Sequence, residues 1–225
     1  MRRTAFTILA LSLLVQDLGC LGGGGYTLRV GDSVYSPRRP PATAGWVKDV
    51  SDDMEAGAML NYRGIYTKEP HSRVVMVRHF DRHQGWSYAV LADTLPVEPG
   101  ALVEVRGTVI IHQQPIRGTS RINKVNQLKV EDHQILYDTR PLQERARREY
   151  RKIREKLQKQ ISLPGSRLKL REDPDWRVDW LEGEAAVVVA AHVYDLMYAA
   201  EAQFLFTMAE QKLEAVYFHE WFKGE

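Results

Sequence analysis

A single cysteine, Cys20, stands among 225 residues, so no intramolecular disulfide is available to this chain. After residue 15 no apolar segment is long and pure enough to cross a bilayer, which takes about 20 residues. The net charge is only +2, so total charge points to no particular class of partner. There is no nucleophile elbow, no phosphate-cradling glycine loop before a helix and no His-Glu-x-x-His, so none of those enzyme signatures applies. Glycine and proline are missing from Glu184 to Lys223, so nothing in that stretch forces a break.

What the chain does have begins at its start. Arg2 and Arg3 precede an uncharged, mostly apolar run from Thr4 to Val15. A basic n-region followed by an apolar h-region of this kind is an export signal. Leu18-Gly19-Cys20 closes it, and the ending resembles a bacterial lipoprotein signal, in which the cysteine becomes the lipidated first residue. Asp17 stands where that signal carries a small or aliphatic residue. Ordinary secretion and retention as an uncleaved anchor therefore remain the alternatives to a lipid at Cys20. From residue 21 to 45 the chain is rich in Gly, Pro, Ser and Arg, and reads as an extended tether.

Residues 46–138 carry a β pattern. Met59–Tyr66, Arg73–Arg78, Trp86–Leu91, Leu102–Ile111 and Gln127–Val130 read as strands, separated by turn signals such as Gln84-Gly85 and Pro96–Gly100. Gly107 inside the longest strand marks a bulge where a small barrel turns its corner. This strand layout, with Leu102-Val-Glu-Val-Arg-Gly-Thr-Val109, resembles an OB-like barrel. Together with Cys20 it is similar in layout to the starvation-inducible outer-membrane lipoproteins. The resemblance implies an antiparallel barrel and no particular functional residue.

Pro141–Ile161 reads as one helix. Leu142, Ala146, Tyr150, Ile153, Leu157 and Ile161 form its apolar stripe, and Leu163-Pro164-Gly165 stops it. Residues 140–160 hold nine Lys/Arg against three Glu, while residues 182–225 hold eight acids against two lysines. The two segments complement one another, and the spacing predicts that the helix docks within its own chain. Ala, Glu, Leu and Met between residues 184 and 223 would allow a long helix, but β-branched and aromatic clusters at Ala185–Val189, Phe204–Phe206 and Val216–Phe218 favour an antiparallel sheet packed on the preceding helix. The expected class is thus α+β: an OB-like barrel over 46–138, then an α+β module over 139–225.

Three groups of residues bear on function. His79, Asp81 and His83 alternate, so on a strand they share a face and suit a metal, with His71 or His112 completing the set. A polar hairpin loop is the competing reading of the same triplet. Arg147, Arg148, Arg151, Lys152 and Arg154 offer a basic surface for anionic headgroups or an envelope protein. Arg78, Arg82, Arg106, Arg117, Arg121, Lys124 and Lys129 with Trp86 and Tyr88 supply the cations and stacking faces of an oligonucleotide-binding barrel, against which the export signal argues.

The expected protein is a cell-envelope lipoprotein, held by Cys20 in the outer membrane facing the periplasm. It acts as a non-enzymatic binding, adaptor or structural module, with no cofactor. Its expected partners are the membrane and another envelope protein or surface polymer. A periplasmic metal-binding protein or metalloenzyme using His79, Asp81 and His83, and an oligonucleotide-binding barrel, are the alternatives.

Overall fold

A computed structural model describes residues 25–35, 48–49, 54–68, 74–81, 85–115 and 122–223. The export signal, Cys20 and most of the tether lie outside the described residues. In chain order the elements are β1 (Thr27–Val30), β2 (Lys48–Asp49), β3 (Met59–Lys68), β4 (Val75–Asp81), β5 (Gly85–Leu91), β6 (Leu102–Pro115) and β7 (Ile122–Tyr137). Then come α1 (Arg140–Gln158), β8 (Asp175–Leu181), β9 (Ala186–Tyr194), β10 (Tyr198–Thr207) and β11 (Leu213–Phe222).

The α+β class expected from the sequence is corrected. Among the described residues eleven strands and one helix make a mostly β fold, and the strands join in a single mixed sheet of order β1-β11-β10-β9-β8-β4-β3-β6-β7-β5-β2. The physical reason is the density of β-branched and aromatic residues, which extends through the last third and into β8, a strand with no clear apolar run.

Strands β3 to β7 curl into a ring. β4 pairs with both β3 and β5, β6 pairs with β3 and β7, and a parallel bridge from Leu91 to Leu128 closes the circle. Tyr62, Val77, Ala89, Val103, Val105, Val109 and Leu128 fill its interior. Two glycines allow the tight curvature. A Cβ on Gly64 would stand 2.4 Å from the Arg78 carbonyl oxygen, and one on Gly107 only 2.2 Å from that of Lys129. The register slips beside Gly107, where Arg106 faces Asp132 but Gly107 faces Val130.

Strands β8 to β11 are antiparallel, with β1 added in parallel at the β11 edge. Helix α1 lies on one face of this part. Leu142, Ala146, Tyr150 and Leu157 share a core with Val187, Val189, Ala202, Phe204 and Phe218. Thr139 precedes the helix, but its hydroxyl does not cap it. The hydroxyl donates to the Gly100 carbonyl at 2.5 Å and accepts from Gln143, tying the helix start to the β5–β6 turn. At the other end, Glu220 on β11 accepts from the backbone amides of Ser162 and Leu163 at 2.7 and 3.0 Å. The ring joins the second part through one parallel bridge, Phe80 to Leu181. Tyr35, Phe80, Leu181, Val188 and Leu205 pack around that bridge.

Candidate functional site

The face of the β8–β11 sheet turned away from α1 carries polar groups where a core is expected. Alternation along β8 points Arg177 and Asp179 to this face, while Trp176 and Val178 join the helix-side core. On β10, Glu201 and Gln203 point the same way and are fully buried. A carboxylate so placed needs partners, because an unpaired buried charge is costly. Arg177 supplies them: its Nη2 lies 3.0 Å from Glu201 Oε1 and its Nε 2.8 Å from Asp179 Oδ2. The Tyr35 hydroxyl donates to Asp179 Oδ2 at 2.5 Å, and Gln203 donates to the Tyr35 carbonyl at 2.8 Å. The segment at residues 33–35 is thereby laced over the sheet.

Glu201 also faces an imidazole on each side. The register places it opposite His192 of β9 and His219 of β11. His192 Nδ1 lies 3.4 Å from Glu201 Oε2. Burial pushes the Glu201 carboxyl up, but the Arg177 charge and the two histidines outweigh it and bring its pKa down to about 2. Burial opposes the Arg177 charge in turn, yet Glu201, Tyr35 and Asp179 hold the guanidinium more firmly protonated than usual. His219 is shifted the other way: burial keeps its ring neutral to a lower pH than usual, against the pull of Glu201. The ring stacks on Trp221 at 4.9 Å, and neither of its nitrogens has a hydrogen-bond partner among the described residues.

The cluster ends at the surface in a groove. Asp179 Oδ1 lies 3.1 Å from Nη2 of Arg78, which β4 projects from the outside of the ring. Val74, Met76, Arg78, Trp86, Ser87, Tyr88 and Val90 line a groove of about 390 Å³ along β4 and β5. Arg78 and Arg177 each sit 5.5 Å from the centre of the Trp86 ring, one cation from the surface and one from below. The groove is therefore apolar along its length, with one guanidinium set in it. Among the described residues that line it, Ser87 and Tyr88 add hydroxyls beside the guanidinium. The groove offers apolar contact beside one partly exposed guanidinium, that of Arg78.

The sequence-derived candidates divide. His79 on β4 is buried with both nitrogens engaged, Nδ1 lying 3.2 Å from the Arg63 carbonyl and Nε2 2.8 Å from Glu182. It is thus not available to a metal in this arrangement. The side chains of Asp81 and His83 lie outside the described residues, as does His71, and His112 is exposed on β6. Among the described residues no three His, Cys, Asp or Glu side chains gather in a way that would hold a metal ion.

Of the oligonucleotide set, Arg78, Trp86 and Tyr88 do come together. Trp86, however, is already edge-packed on Tyr35 and Phe80 at 5.1 Å, with two guanidiniums 5.5 Å from its ring centre, and these contacts compete with stacking on a base. Lys124 and Lys129 sit on β7, away from this groove, and Arg82, Arg117 and Arg121 lie outside the described residues. Arg147, Arg148, Arg151 and Lys152 are exposed on α1, with Arg154 half-buried.

Sequence reasoning missed Arg177, Asp179, Glu201, Gln203 and Tyr35. The available signal was Glu201 itself, a carboxylate between alanines in an apolar run with no glycine or proline nearby. No protein-family model, curated protein or solved structure matches the chain.

Proposed function

We propose that the protein is an exported binding module, tethered to the cell envelope through Cys20, that holds a segment of another envelope protein or a surface polymer in the β4–β5 groove. One observation carries the binding half. Arg78 is buttressed from beneath by Asp179, which Arg177 and Tyr35 hold, within an otherwise apolar groove. A cation held this way loses less rotamer freedom on meeting an anionic group, which favours binding. The export signal and Cys20 support the tether.

The test compares partners retained from the membrane fraction by wild type, Met76→Asp and Val90→Asp. Both side chains are half-buried on the outside of the ring, so the fold tolerates the change, as circular dichroism would verify. The proposal expects a defined partner that wild type retains and both variants lose. Retention of the same partners by all three proteins would contradict it.

A further inference from the structure

Helix α1 and Lys159 at its C-terminal cap show solvent six cations, Arg140, Arg147, Arg148, Arg151, Lys152 and Lys159, against two carboxylates, Glu144 and Glu155. Among the described residues no ion pair joins this face to the acidic stretch expected to neutralise it. The ion pairs described for the helix are local, Arg140 with Asp138 at 2.6 Å and Lys152 with Glu149 at 2.8 Å. Glu201 turns to the opposite face of the sheet, where Arg177 holds it. Where the helix reaches the β10–β11 turn, Arg145 takes the backbone carbonyl of Gln211 at 2.7 Å. The helix docks by its apolar stripe, and its positive face is left outward.

The chain leaves the fold beside that face. β1 runs along the sheet edge, and Tyr26 packs into the core that α1 covers. Burial, and to a lesser degree the Glu149 carboxylate on α1, raise the Tyr26 pKa. Cys20 precedes Gly25 by five residues. Five residues reach at most about 17 Å, less than the roughly 28 Å length of a 19-residue helix. A bilayer that holds Cys20 therefore lies within reach of α1.

We propose that the outer face of α1 docks on an anionic bilayer, with Arg148, Arg151 and Lys159 in the headgroup layer. The orientation rests on the tether at Cys20; the charge argument rests on the helix alone. Because the apolar stripe is already buried in the protein, this docking is peripheral and electrostatic rather than insertive. It therefore weakens as salt screens the charges.

The test uses the full chain carrying Cys20→Ser, so no lipid is attached, sedimented with phosphatidylcholine vesicles with or without roughly one-third phosphatidylglycerol. The expected result is at least about tenfold tighter binding to the anionic vesicles, lost when salt rises from about 50 to about 500 mM. The triple variant R148E/R151E/K159E loses that preference, while K124E/K129E on β7 keeps it; thermal unfolding checks that both are folded. An unchanged preference in the α1 variant, or equal loss in the β7 variant, overturns the proposal. So does equally tight binding of the parent to a single-stranded oligonucleotide, lost in the same α1 variant. Failure here counts against the helix surface, whereas failure of Cys20 to anchor the chain in cells counts against the tether.

Discussion

Glu201 sits between Ala200 and Ala202 on β10, and all three are buried. Its folded pKa of about 2 lies below the ordinary carboxyl value of 4.5, so its charge stabilises the fold above pH 4.5. That contribution, on the order of 3 kcal/mol, is lost as pH falls from 4.5 through 2. His219 is also depressed from 6.5, so protons bind the unfolded chain first and stability falls as pH drops below 6.5. Both groups therefore weaken the fold in acid. Urea midpoints measured from pH 7.5 to 3 should decline in two windows. His219→Phe should flatten the upper window and Glu201→Gln the lower. Glu201→Ala leaves Arg177 buried beside one carboxylate instead of two, and should cost about 3–5 kcal/mol at pH 7. At this scale the sequence was legible where pattern is local, as at Gly107, whose place inside a long strand marked the bulge. It was not legible at His79, because nothing near it in the chain reveals that Glu182 lies 2.8 Å away.

At the scale of elements, β3, β4, β5 and β6 could be read from their β-branched and aromatic runs, and α1 from its apolar stripe. β8 could not. Arg177 and Asp179 alternate with Trp176, Val178 and Trp180, a pattern that reads as a half-solvated strand or a loop. In the fold the polar side faces a buried ionic cluster instead of water. The bulge expected at Gly107 is present, and it is sterically demanding. Gly107→Ala places a methyl against the Lys129 carbonyl, and backbone cannot move aside as a flexible side chain would. It should lower stability by about 1–3 kcal/mol or more, read as a fall in melting temperature. A melting temperature equal to wild type would mean that β6 and β7 are not in this register.

Across the whole molecule the sequence suggested two modules, and the chain builds one sheet. The links are β1 with β11 and β4 with β8, pairings between residues far apart in the chain that no local pattern encodes. Phe80 and Leu181 share a core with Tyr35 and Val188, so the ring and the second half should unfold together. Phe80→Ala should cost about 3–5 kcal/mol and, by weakening this junction, broaden or split a single calorimetric transition. A split transition already present in wild type would contradict the shared core.

The groove opens on the ring, while β1 lies at the sheet edge on the β11 side, so in the proposed reading binding and anchoring would use different parts of the surface. The most direct measurement is fractionation of cells expressing wild type and Cys20→Ala, with membranes washed in high salt to strip electrostatically bound protein. The tethered-module account predicts that wild type stays with the washed membrane and Cys20→Ala is released. Wild type released along with the variant, or the variant retained along with wild type, would contradict it.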